Sequence, residues 1–173
     1  PRDPAERREP VDDLFTSCLF ALLGMATGGL RGRLEIDDET FLFYGGLFAH
    51  YPRNAVSLEA MLGDDFELPV GVLQFFGQWL YLSPEDCSQM PSRENPDGQN
   101  NLLGTNLFVG ERVWYVQSKF RVRVGPLTYR QFRSFMPTGD ALRPISQMTR
   151  SYVGHQLDFD IQPVLMPREV PWC

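Results

Sequence analysis

The sequence holds no apolar run near the roughly 20 residues that a membrane-spanning helix needs. Its longest candidate, Leu19 to Met25, is short and interrupted by Gly24, so it reads as a core helix and direct membrane insertion is not expected. Cysteine is scarce: Cys18, Cys87 and Cys173 lie far apart, which supplies neither a disulfide framework nor a zinc motif. Reduced thiols in the cytoplasm are the expectation. Histidine is rarer still, with His50 near the end of one helix and His155 in a turn, and neither has a second ligand at metal-binding spacing. The glycine-containing run Gly28-Gly29-Leu30-Arg31-Gly32 lacks the preceding strand and the GK[ST] ending of a phosphate cradle. A basic excess is missing too. The net charge of −6 disfavours nucleic acid as a partner, because that affinity rests on neutralising phosphates. No cofactor, metal or catalytic residue is expected.

What is present is material for a core: 43% hydrophobic residues in 173, including 13 Phe, 6 Tyr and 3 Trp. Residues 1–10, PRDPAERREP, are charged and proline-rich and read as a tail or linker, and residues 11–173 read as a single α+β domain. With no initiating Met, and with Cys173 directly after Trp172 at its end, the chain reads as a fragment of a longer protein.

The clearest local signal is Val113 to Pro137. Trp114, Val116, Ser118, Phe120, Val122 and Val124 alternate with Tyr115, Gln117, Lys119, Arg121 and Arg123, which predicts one half-buried strand ended by Gly125-Pro126. Thr128 and Gln131 then form a capping box, with Leu127 and Phe132 at the staple positions of the next helix.

Before it, Asp12 and Asp13 suit a helix start, and Leu14, Phe15, Cys18, Leu19, Leu22 and Leu23 form an apolar stripe on which Cys18 is a buried small hydrophobe. A second helix is expected from Asp37 or Asp38 to before Pro52, with another backbone close to Gly45-Gly46. A third begins at the cap Asn54. Val70 to Leu82 predicts a central strand bulged at Gly77, with a helix as the alternative that period alone leaves open. Ser83 to Phe108 is a long loop poor in core residues, and loops of that length are usually functional or disordered. After Pro137 the pattern predicts a helix with Pro144 in its first turn and Gly154 behind it, then a strand through Leu157, Phe159 and Ile161 that Pro163 weakens or ends. The whole is α+β: mixed helices packed on short antiparallel strands, with long irregular loop extensions.

Two constellations carry possible chemistry. Asp158 and Asp160 share a strand face near His155, as a hydrolase or metal-binding enzyme would need, or as the polar side of a half-buried strand. Lys119, Arg121 and Arg123 place like charges on alternate residues, which requires water, intramolecular carboxylates or an acidic partner. A nucleic-acid-binding module is one alternative for them, and a carboxylate-rich protein surface another.

The run LGTNLFVGERVWYVQSKFRVRVGPLTYRQFRSFMP resembles the signature of the TssG family, baseplate subunits of type VI secretion systems. FLFYGGLFAHYPRNAVSLEAMLGDDF, VLQFFGQWLYL and LRPISQMTRSYVGHQLDFDIQPVL agree in order with further segments of its C-terminal portion. The resemblance implies no enzyme but a structural adaptor that bridges two TssF copies, recruits TssK trimers and TssE, and meets neighbouring wedges beneath the contractile sheath and tube. It implies a cytoplasmic location, attached to the inner-membrane complex through other baseplate subunits. The partner-interface candidates are Met90, Arg93, Leu102 and Leu103 in the long loop, and Lys119, Arg121 and Arg123 on the basic face.

Overall fold

The structure, a computed structural model, describes residues 14–170. The expected tail and the acidic helix start at Asp12 and Asp13 lie outside them. Helices α1 (Leu14–Leu22), α2 (Asp38–Phe43), α3 (Gly45–Ala49) and α4 (Ala55–Asp65) precede strands β1 (Val70–Leu73) and β2 (Gln78–Tyr81). Beyond the long loop come β3 (Arg112–Tyr115), β4 (Lys119–Leu127), α5 (Tyr129–Ser134), α6 (Leu142–Val153) and β5 (Asp158–Leu165).

One sheet has the order β1-β4-β5, and β2 and β3 form a separate pair. The α+β class stands, but the sheet is mixed: β1 runs antiparallel to β4, whereas β5 runs parallel to it. The reason is the connection. A chain leaving β4 through two helices makes a crossover, and a crossover delivers a parallel neighbour where a hairpin delivers an antiparallel one.

The core forms on one face of this sheet. Phe120, Val122 and Val124 alternate inward along β4 and join Leu58, Met61 and Leu62 of α4 with Ile145, Met148 and Tyr152 of α6. Each such side chain contributes about 1.5 to 3 kcal/mol when fully buried. Local devices fix the helices that supply them. Asn54 Oδ1 accepts the Ser57 amide at 2.8 Å at the start of α4. Thr128 Oγ1 accepts the Gln131 amide at 3.4 Å while Gln131 Oε1 accepts the Thr128 amide at 3.0 Å, completing the expected box. Pro144 lies in the first turn of α6, and Gly154 caps its end at φ 79°.

Both long strands expected from the sequence are bent into two. The chain leaves β1 at Leu73, turns through Phe75 at φ 56°, and re-enters extended conformation at Gln78. Opposite, β3 ends at Tyr115 and β4 begins at Lys119. Leu73 faces Arg121 and Gln78 faces Tyr115, so the β3–β4 side carries one extra residue across the bend. A β-bulge of this kind redirects a ribbon. Gly77 is required there, because a β-carbon at that position would fall onto the Trp114 indole. The consequence is that β2 and β3 leave the body as a hairpin arm, and Trp114 is exposed rather than buried with Phe120.

Gly125-Pro126 does not stop β4. The register shifts between Val124 and Leu127, and Leu127 returns to the core fully buried. Gly125 sits at φ 128°, and a β-carbon there would lie 2.5 Å from the Val164 carbonyl oxygen, so the bulge needs glycine. Pro163 leaves β5 intact for a related reason. The Asp158 amide donates inward to Ser118 O at 2.7 Å, so with side-to-side alternation the position of Pro163 faces the open edge, where no ladder donor is missed.

Other expectations meet corrections. The second helix breaks at Tyr44, which is buried and donates its hydroxyl to Asp64 Oδ2 at 2.7 Å. Burial first, and then the Asp64 carboxylate, push the Tyr44 phenol well above its ordinary range. A β-carbon at Gly45 would meet the Leu23 side chain at 3.4 Å rather than another backbone, and one at Gly46 would meet nothing. Helix α1 turns Phe20 to the body and leaves Leu14, Phe15 and Leu22 exposed, so Cys18 is exposed as well. Its periodicity defines a face, and the described residues do not cover that face.

Candidate partner-binding surfaces

The arm comprises residues 74–117. It contributes nothing to the body's buried core, yet carries half of the exposed large hydrophobic side chains among the described residues. Its root is held by the Phe76 amide on Lys119 O at 2.9 Å and by Gln78 Nε2 on Ser118 Oγ at 3.2 Å.

Its long loop is ordered by its own polar side chains. Gln89 and Gln99 exchange two backbone bonds, at 2.8 and 2.9 Å, which bring the two limbs together. Asn100 Nδ2 donates to Glu85 O at 2.8 Å, Ser88 Oγ donates to Asn100 O at 2.5 Å, and the Phe108 amide donates back to Ser88 Oγ at 2.9 Å. Asn106 Oδ1 accepts the Leu102 amide at 3.1 Å. The apolar residues of the loop therefore point elsewhere: Met90, Leu102 and Leu103 are 77%, 61% and 88% exposed, and Arg93 is exposed with them. What is irregular in secondary structure is still specified in conformation.

A second surface was hidden from sequence reasoning by the false continuity of the strands. Trp79 faces Trp114 across the hairpin, with rings 5.2 Å apart and edge to face. Tyr81 faces Arg112 on the same side, and the Arg112 guanidinium lies 4.5 Å above the Trp79 ring. All four are exposed. Trp, Tyr and Arg are the residue types that dominate binding energy at protein interfaces. The sequence signal that marks this turn is Gly77, where any side chain would meet the Trp114 indole.

The basic face of β4 is partly neutralised from within. Arg121 makes two hydrogen bonds to Asp160, 2.9 and 2.8 Å long, and Lys119 Nζ lies 3.2 Å from the same carboxylate. The Arg121 hydrogen bond is the main cause holding the Asp160 carboxyl below its usual range, with Lys119 adding to it, and Asp160 raises Arg121 in turn. Arg121 also stacks 3.6 Å over Phe76 at the arm's root. Arg123 stays exposed.

This arrangement bears on the enzymatic alternative. Asp160 is turned to two cations, while Asp158 and His155 are exposed, and the structure does not assemble the three into one site. Among the described residues no group of three His, Cys, Asp or Glu is placed to hold a metal ion.

With this geometry in place, the comparisons decide the family. The family model for "Type VI secretion, TssG" matches residues 2–173. The chain belongs to the TssG family. The fold of this TssG-family chain is similar to a chain in a cryo-electron microscopy structure of a type VI secretion TssK-TssF-TssG baseplate subcomplex, with a TM-score of 0.75 at 16% identity. That likeness covers 92% of this chain and 64% of the other, so the TssG-family sequence spans under two thirds of the length of the chain it matches. No curated protein matches it. Among the described residues no helix is long and apolar enough to cross a membrane.

Proposed function

We propose that this chain is part of a structural adaptor of the type VI secretion baseplate. It bridges two TssF copies and recruits TssK trimers, with TssE and neighbouring wedges as further contacts. It works in the cytoplasm and reaches the inner-membrane complex through other baseplate subunits. The observation that carries the reading is the arm: a conformationally specified hairpin that spends polar side chains on its own backbone and turns apolar and aromatic ones outward. Family membership supplies the setting. The reading treats the chain as non-enzymatic, and no geometry here favours acid/base or metal chemistry at Asp158, Asp160 and His155. Nucleic-acid binding through Lys119, Arg121 and Arg123 is likewise unfavoured, since two of the three charges are answered by Asp160.

In this reading Met90, Arg93, Leu102 and Leu103 dock TssK or a neighbouring wedge component, and Lys119, Arg121 and Arg123 border that contact. Permanent assemblies of this kind bury upward of about 2,000 Å², with a few central anchors dominating. The experiment is co-purification of the full-length protein with untagged TssF and TssK after deletion of Gln89 to Asn101. The Gln89–Gln99 bridge holds the two limbs side by side, which leaves a short gap to close. Loss of TssK or of a wedge component is expected. An intact complex at normal yield refutes the assignment of the loop.

A further inference from the structure

Beside the root of the arm, the body is cut by a groove of about 690 Å³. Leu58 of α4, Val72 of β1 and Phe120 of β4 supply apolar lining, and Tyr51 and Phe75 line it while largely exposed. Phe75 is held at φ 56°, a left-handed conformation that a bulky side chain rarely adopts. Strained backbone that keeps an aromatic ring in solvent, at the edge of a groove, is a recurring sign of a ligand clamp.

The charge of the lining is one-sided. Arg53 and Lys119 belong to it and no carboxylate does, in a chain whose net charge is −6. Lys119 is answered in part by Asp160 at 3.2 Å. Arg53 has no carboxylate among the described residues. It donates to Leu47 O at 2.8 Å and contacts the Tyr51 hydroxyl at 3.5 Å. Its guanidinium lies 4.6 and 4.9 Å from the ring centres of Tyr51 and Tyr152. Stacking fixes the plane of the guanidinium, and a fixed fork of donors suits a carboxylate. A groove that excludes its own chain's carboxylates presents positive potential to an acidic partner.

We infer that this groove docks an acidic segment of a partner protein that carries an aromatic or aliphatic anchor. The segment's carboxylates meet Arg53 and the exposed side of Lys119, and the anchor packs between Phe75 and the apolar lining. The net charge of −6, with Lys119 answered in part by Asp160, favours a protein segment over a nucleic acid, whose affinity rests on a basic surface. The inference rests on the adaptor reading only for the existence of a partner chain.

The test is fluorescence anisotropy of a short labelled peptide, Phe-Leu flanked on both sides by Asp and Glu, titrated with the full-length protein. Saturable, salt-sensitive binding is expected, weakened roughly fivefold or more by Arg53→Gln and by Phe75→Ser. Phe75→Ser changes an exposed side chain and so keeps the test independent of folding. Absence of binding, an affinity unchanged from the parent in either variant, or equal binding of a peptide with Ser-Gly in place of Phe-Leu overturns the proposal. In the purified TssK-TssF-TssG complex, a photo-crosslinking residue at Gln156 is expected to capture an acidic segment with an apolar anchor. Capture of a neutral or basic segment, of the chain's own residues alone, or of nothing overturns it. A complex that fails to assemble while the peptide still binds counts against the adaptor function and leaves the groove standing.

Discussion

The body and the arm of this chain are built by opposite rules. In the body, apolar side chains from α4, β4 and α6 are fully buried, and the charges of Lys119, Arg121 and Asp160 are placed on the other face of the sheet. In the arm, Ser88, Gln99, Asn100 and Asn106 turn to the loop's own backbone or to one another, while Met90, Leu103 and Val109 face outward. The difference separates two tasks. The body's contacts secure the fold, and the arm's exposed apolar side chains are the ones that the proposed partner contacts would use.

Substitutions sharpen that contrast. Met148→Ala, in the fully buried cluster, is expected to cost about 2 to 5 kcal/mol, read as a lower urea midpoint. Asp160→Ala removes the carboxylate shared by Lys119 and Arg121 on a partly exposed face, and a loss of about 1 kcal/mol is expected, less than for a buried pair. The same pair sets a pH dependence. Because the Asp160 carboxyl is held below its unfolded value of about 3.9, its stabilisation is present above that pH and disappears as pH falls through the folded value. An Asp160→Asn protein should therefore lose less stability than the parent when denaturation is followed from about pH 4 downward.

Thr128→Ala should cost about 1 kcal/mol by opening the capping box, again measured by urea denaturation. In the arm the expected signs change. Phe75→Gly relieves a left-handed backbone and should leave stability unchanged or raise it by up to about 1 kcal/mol, while weakening the groove's hold on the acidic peptide. Leu103→Ser should alter stability by less than about 0.5 kcal/mol and reduce recovery of baseplate partners. A Leu103→Ser protein that unfolds early would erase the distinction between the two regions.

What could be read from the sequence was mostly local. The caps at Asn54 and Thr128, the first-turn Pro144 and the terminal Gly154 each depend on a few adjacent residues, and each is where the pattern put it. Alternation and periodicity were less decisive, since they identify a face without saying what covers it. Trp114 and Phe120 alternate in phase, yet the bend at Phe75 and Gly77 places one in solvent and the other in the core. Leu14, Phe15 and Leu22 keep helical spacing but are exposed. The parallel pairing of β5 depends on how α5 and α6 cross the sheet, a long-range property that no window of residues contains. The docking candidates of the loop stand out in sequence by the loop's length and its isolated apolar pair Leu102-Leu103, whereas the Trp79–Trp114 face and the Arg53 groove arise only when distant segments meet.

Pro163 has a consequence for the interval between synthesis and assembly. A chain with this much exposed apolar surface is at risk of associating with copies of itself, and an open strand edge offers the easiest template. On β5 alternate amides face outward, and at Pro163 that donor is absent, so a second copy that tried to zip along the edge would lose a partner partway. The proline thus acts as a safeguard in time: it costs the folded sheet no ladder bond and shortens the list of wrong encounters available before the right ones arrive.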